Sequence, residues 1–169
     1  LQVEVTDAPK MVQRIHASKV LALDSYARGD RETWARQVGH HLEHLDRSDP
    51  ELCMRYAQHM AKVGRAYEAI RWADTALENR SVWTAATHVE RVESLYELRA
   101  RAAMQIWEQA DRVATASPGR ANDDARDLAR GRAKELSRAW LDYARAAERP
   151  TERALALCTA AAGTQTYCQ

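Results

Sequence analysis

Ser48-Asp-Pro-Glu-Leu-Cys-Met-Arg-Tyr-Ala-Gln-His-Met-Ala-Lys-Val-Gly64, followed by Arg65-Ala-Tyr-Glu-Ala-Ile-Arg-Trp-Ala-Asp-Thr-Ala-Leu-Glu-Asn79, decides how this chain folds. Ser48 with Glu51 reads as a capping box, and Pro50 sits where a first helical turn has no use for an amide proton. A helix is predicted from there, with Leu52, Tyr56, Met60 and Val63 recurring at helical spacing and Gly64 supplying a left-handed stop. Ala66, Ala69, Ile70, Ala73, Ala76 and Leu77 mark a second helix whose buried stripe is mostly small side chains. Small residues let two helices approach closely, so the pair is expected to form a tight antiparallel hairpin.

The same punctuation occurs upstream. Asp7-Ala8-Pro9 opens a helix carrying Met11, Ile15, Val20, Leu21 and Leu23, which ends at Tyr26-Ala-Arg-Gly29. Trp34, Val38, Leu42 and Leu45 form the inner stripe of the next, predicted to close at Arg47-Ser48. Gly29 and Gly64 stand 35 residues apart, each between an apolar helix and a polar-started one. With Ala57 at the first helix's close-packing point, Gly64 at the turn, the Tyr67–Ile70 run and Ala76-Leu77, this resembles a tetratricopeptide repeat, a helix-turn-helix unit of about 34 residues. Ser81 stands near the place of the family's closing proline, and glycine is usual where Ala57 sits. The resemblance covers about Val12 to Asn79.

Beyond it the repeat stops. Apolar residues run at helical spacing through Val89, Val92, Leu95, Tyr96, Ala103, Ile106, Ala110 and Val113, which predicts one helix of about 30 residues from near Thr84. After a loop at Ser117-Pro118-Gly119, with a fresh cap at Asn122, the residues Ala125, Leu128, Ala129, Ala133, Leu136, Trp140, Tyr143 and Ala147 mark another, folding back on the first. A short last helix follows Pro150. The fold class expected is all-α: as the resemblance implies, a right-handed solenoid of two TPR-like hairpins, then a longer antiparallel helical hairpin and a short C-terminal helix. Residues 8–169 make one helical domain. Leu1–Thr6 alternates with the period of a strand, so residues 1–7 are expected to be an ordered arm or the remnant of an upstream domain, in a chain that starts at Leu1 as a processed or truncated product.

Composition narrows function. The formal charge is +1, from 25 basic and 24 acidic side chains spread along the chain, which argues against nucleic-acid binding through bulk charge. No run approaches the length of a membrane-spanning helix. Cys53, Cys158 and Cys168 are too scattered for a zinc framework. Cys53 reads as a core thiol. Cys158 and Cys168 leave two states open: a disulfide in an oxidising compartment such as a bacterial envelope or periplasm, or free thiols in a cytoplasm.

His40 and His44, four apart on a helix, can face one metal ion, but Glu43 is misplaced for a metalloprotease motif and no third ligand is suggested. Exposed histidines on a polar face are the plainer reading. No Gly-x-Ser-x-Gly elbow or phosphate-binding glycine loop occurs, and Cys53 near His59 lacks an orienting group, so neither an enzyme nor a cofactor is expected. Trp72, Trp83 and Trp107 are expected in the core.

The resemblance implies a groove on the inward face of each repeat's first helix, binding another protein or an extended peptide. Its positions are His16, Lys19, Leu23 and Tyr26, then Met54, Arg55, Gln58 and Lys62, with Glu90, Glu93 and Glu97 from the long helix. Lys19, Arg55 and Lys62 on one wall would suit an acidic segment. Arg126, Arg130, Lys134 and Arg138 form a basic ladder, either paired with carboxylates Glu93, Glu97, Glu108 and Asp111 or free as a docking stripe. The function expected is a non-catalytic interaction scaffold or adaptor; the alternatives are a structural spacer attached to an upstream domain, and a metal-binding bundle around His40 and His44.

Overall fold

The computed structural model describes residues 4–169, with side chains from Pro9 onward. Among the described residues there are seven α-helices and no strand: α1 Glu4–Ala27, α2 Arg31–His44, α3 Pro50–Lys62, α4 Ala66–Glu78, α5 Ala85–Ala116, α6 Arg120–Ala146 and α7 Glu152–Ala162. Short 3-10 turns lie at Arg80–Val82 and Thr166–Cys168. Glu4, Val5 and Thr6 open α1 rather than forming a strand, and Leu1–Val3 lie outside the described residues. A helix satisfies its backbone internally, whereas a lone strand has no partner for its ladder.

Local chemistry accounts for the helix ends. Asp49, not Ser48, caps α3, its carboxylate accepting from the amides of Glu51 and Leu52 at 3.0 Å each, while Ser48 turns back to donate to Asp46. Asp30 caps α2 by accepting from Thr33 N–H at 3.0 Å, and the Thr33 side chain first and this amide second hold its carboxyl below the usual range. Gly29 and Gly64 end α1 and α3 with φ of +78° and +79°, a left-handed backbone that glycine enters without strain. α2 ends at His44, a turn before the predicted Arg47. Asn122 lies within α6 and donates to the Ser117 carbonyl instead of starting the helix.

Consecutive helices pack on one another throughout, and α5 also touches α3 and α7. An aromatic chain binds the first four: Tyr26 to Trp34 at 5.6 Å, Trp34 to Tyr56 at 6.4 Å, and Tyr56 to Trp72 at 5.8 Å between ring centroids. Ala57, Ala69, Ala73 and Ala76 are fully buried between α3 and α4, as the small-residue stripe predicts. Trp72 is buried; Trp83 and Trp107 are half-buried at the core's edge. Tyr96 stacks on Tyr143 at 4.9 Å, and the Tyr143 hydroxyl donates to the Val89 carbonyl, which sets the start of α5 beside the end of α6.

A second core of Ala100, Trp140, Leu141, Ala154, Cys158, Ala162 and Cys168 fixes α7 and the tail. Cys158 and Cys168 are disulfide-bonded and fully buried. The basic ladder of α6 works inside the molecule. Arg130 donates to the carbonyls of Ala161 and Ala162 at the end of α7, Arg138 to that of Tyr167 and to Asp142, and Arg126 pairs with Asp123 and Asp127. Of the ladder's charges only Lys134, half-buried, is left without a bond or ion pair among the described residues, so the ladder takes the paired one of its two expected readings for Arg126, Arg130 and Arg138. Of the carboxylates expected as its partners, Asp111 acts on Arg126 by charge, whereas Glu93 pairs with Arg149 before α7 and Glu97 with Arg153 of α7.

Candidate functional site

The odd-numbered helices lie side by side along one side of the molecule. Lys19 of α1 pairs with Asp49, and Tyr26 lies 5.2 Å beneath the Arg55 guanidinium of α3. Glu51 of α3 meets Arg91 of α5 at 2.7 Å, and the Ser94 hydroxyl reaches the Met54 sulfur at 3.9 Å. Glu93 of α5 accepts from Arg149 at 2.6 Å, and Glu97 from Arg153 of α7.

Two recesses open along this side. The first, about 350 Å³, lies between α3 and α5 and is lined by Gln58, Lys62, Ser94, Glu97, Arg101 and Gln105 among others. The second, about 290 Å³, lies between α5 and the start of α7, with Glu90, Glu93, Glu97, Trp140, Arg149 and Glu152 in its wall. Ser94 and Glu97 belong to both, so the recesses meet across α5. Gln58, Lys62, Glu90, Glu93 and Glu97 are thereby brought to one surface.

The other groove positions fall elsewhere. Met54 is buried beneath Ser94 and offers no open surface. Leu23 and Tyr26 are exposed on α1, as is His16, but line neither recess. The basic wall is largely neutralised, because Lys19 is held by Asp49 and Arg55 by Glu51 at 3.0 Å. Burial raises the Asp49 carboxyl, but the Lys19 bond and the α3 amides outweigh it and leave it below the usual range. Lys62 is exposed and has no ion pair among the described residues.

The second recess is acidic. Four carboxylates, Glu90, Glu93, Glu97 and Glu152, face two guanidiniums, Arg149 and Arg153. Glu93 holds Arg149 above its ordinary value by a hydrogen bond and charge, with Glu90 adding to the attraction. Glu90 and Glu152 are exposed and have no ion-pair partner among the described residues. Trp140 is 2% exposed, lies 5.9 Å beneath Arg153, and its indole N–H has no acceptor. A buried donor left unpaired costs about 1–3 kcal/mol.

His40 and His44 are exposed with ring centroids 4.9 Å apart, and among the described residues no group of three or more His, Cys, Asp or Glu side chains is placed to hold a metal ion. Cys53 is fully buried, donates to the Arg47 carbonyl at 3.4 Å, and its thiol is pushed up to about 12 by burial, so it stays protonated at neutral pH. No described helix is long and apolar enough to cross a membrane.

A further surface was missed from the sequence. Tyr67 and Ile70 of α4 and Ala125, Leu128 and Ala129 of α6 wall a cleft of about 400 Å³ floored by Ala103 and Ile106 of α5. Tyr67 is 72% and Leu128 78% exposed, although helical spacing assigns Leu128 to the inner stripe. Met11, Val20, Leu21 and Leu23 of α1 are exposed as well.

Comparison of the chain with protein families, with curated proteins and with solved structures returns no match.

Proposed function

We propose that the chain is a non-catalytic binding module that holds a segment of another polypeptide along the α3–α5–α7 side. One observation carries this reading: two recesses on neighbouring odd-numbered helices meet at Ser94 and Glu97, giving a continuous groove across three helices. The neighbouring of alternate helices, the paired left-handed glycines and the buried Ala57 support a solenoid of tetratricopeptide type. In that architecture α1–α2 and α3–α4 are repeat hairpins, α5–α6 is a longer antiparallel hairpin, α7 closes a right-handed stack, and the groove lies on the inward face. Scaffold or adaptor work in a larger assembly follows. A protonated, buried Cys53 favours binding over nucleophilic chemistry.

A second reading places the partner in the apolar cleft between α4 and α6, and is favoured by the exposure of Tyr67 and Leu128. Site-specific photo-crosslinking separates the two. A benzophenone side chain is placed at Gln58, Arg101, Leu128 or Glu78, all exposed, in cells expressing the chain. The groove reading expects a discrete polypeptide adduct from Gln58 and Arg101 and none from Glu78. Adducts from Leu128 alone would move the site to the cleft, and a structural spacer would give none at any position.

A further inference from the structure

The acidic recess between α5 and α7 carries two unmet requirements. Four carboxylates, Glu90, Glu93, Glu97 and Glu152, meet three guanidiniums, Arg149, Arg153 and, through Glu97, Arg101, and Glu90 and Glu152 have no ion pair among the described residues. That excess favours a cation. The same wall includes Trp140, 2% exposed, whose indole N–H lacks an acceptor. Indole nitrogen only donates, so what completes it must bring an oxygen or another acceptor.

A simple anion would satisfy the indole but meet the carboxylates. A metal ion would satisfy carboxylates but not the indole, and Glu93 and Glu97 are already held by Arg149, Arg101 and Arg153. A peptide with a basic side chain meets both requirements, its ammonium or guanidinium group facing Glu90 and Glu152 and a main-chain carbonyl accepting from Trp140. The volume of about 290 Å³ suits a side chain with its flanking backbone rather than a helix. The neutralised Lys19 and Arg55 remove the matching case for an acidic segment.

We infer that the α5–α7 recess is the specificity pocket of the groove and takes an arginine or lysine side chain of an extended basic segment, with Trp140 donating to that segment's backbone. This rests on the binding role proposed above and names the partner's chemistry.

The test is a titration of the isotope-labelled whole chain with acetyl-Ala-Arg-Ala-Arg-Ala-amide, and separately with its glutamate counterpart, read at the indole N–H resonances. Trp140→Phe identifies the Trp140 signal. The arginine peptide is expected to shift that signal saturably and the glutamate peptide to leave it in place. Glu90→Lys with Glu152→Lys, both at exposed positions, is expected to weaken the arginine peptide about tenfold or more while the other indole signals stay put. A Trp140 signal unmoved by the arginine peptide, moved equally by both peptides, or equally sensitive in the double variant would overturn the assignment. If groove crosslinks persist in that case, the binding role stands and only the basic partner is lost.

Discussion

His41 is 1% exposed, packed on α2 with α1 and α3 to either side, and neither ring nitrogen has a hydrogen-bond partner. Burial lowers its pKa from the ordinary 6.5; Asp46 and Asp49 pull upward, while Lys19 and His40 add to the lowering. The sign follows. Below about pH 6.5 the unfolded chain takes up a proton there that the folded chain resists, so stability falls as pH drops. His59, also lowered by burial, acts in the same direction, whereas the depressed Asp49 carboxyl begins to lose its contribution only toward its ordinary 3.8. Thermal melts between about pH 7 and pH 5 should show Tm decreasing with acidity, and His41→Leu should flatten that slope. An unchanged slope in the variant would mean that His41 is already protonated or solvated in the fold.

Between elements, α2 approaches α3 closely at Gly39. A Cβ on Gly39 would lie 2.7 Å from the Tyr56 hydroxyl and 3.2 Å from its ring. The Tyr56 ring cannot easily retreat, being flanked by Trp34, His59 and Trp72 with centroids at 6.4, 6.5 and 5.8 Å. Overpacking of this kind costs about 1–3 kcal/mol, against a helix-propensity gain of about 1 kcal/mol for replacing glycine. Gly39→Ala should therefore lower stability in urea, and adding Tyr56→Phe should recover part of the loss by removing the hydroxyl. A neutral or stabilising Gly39→Ala would show that α2 and α3 stand further apart.

The same scale explains what could be read in advance. Periodicity located α3 to α6, Pro150 marked the approach to α7, and the two glycines marked real left-handed turns. Helical spacing reports which residues are apolar but not which neighbour covers them. Leu128 lines the cleft between α6 and the start of α4, where Tyr67 and Ile70 stand across from it without covering it, and so it is exposed. Similarly, the charge ladder of α6 could be seen, but Arg130 and Arg138 donate to carbonyls brought alongside by the return of α7 and the tail. Such backbone acceptors carry no signature in residue type. That Gln58, Lys62, Glu90, Glu93 and Glu97 line recesses beside α5 was legible as helix faces; the wall that Trp140 and Glu152 add depends on how α6 and α7 dock.

At the scale of the whole molecule, a formal charge of +1 conceals a division of labour. Lys19 of α1 and Arg55 of α3 are held by Asp49 and Glu51, and Arg138 of α6 by the tail, while Glu90 and Glu152 of the α5–α7 recess have no ion pair among the described residues. The central claim is that this side, and not the opposite one, receives another polypeptide. Carbodiimide footprinting of the carboxylates, with and without the crosslinked partner's polypeptide added back, tests it most directly. The account predicts that Glu90 and Glu152 lose reactivity on binding while exposed Glu78 and Asp124 keep theirs; protection at Glu78 or Asp124 with Glu90 and Glu152 unchanged would contradict it.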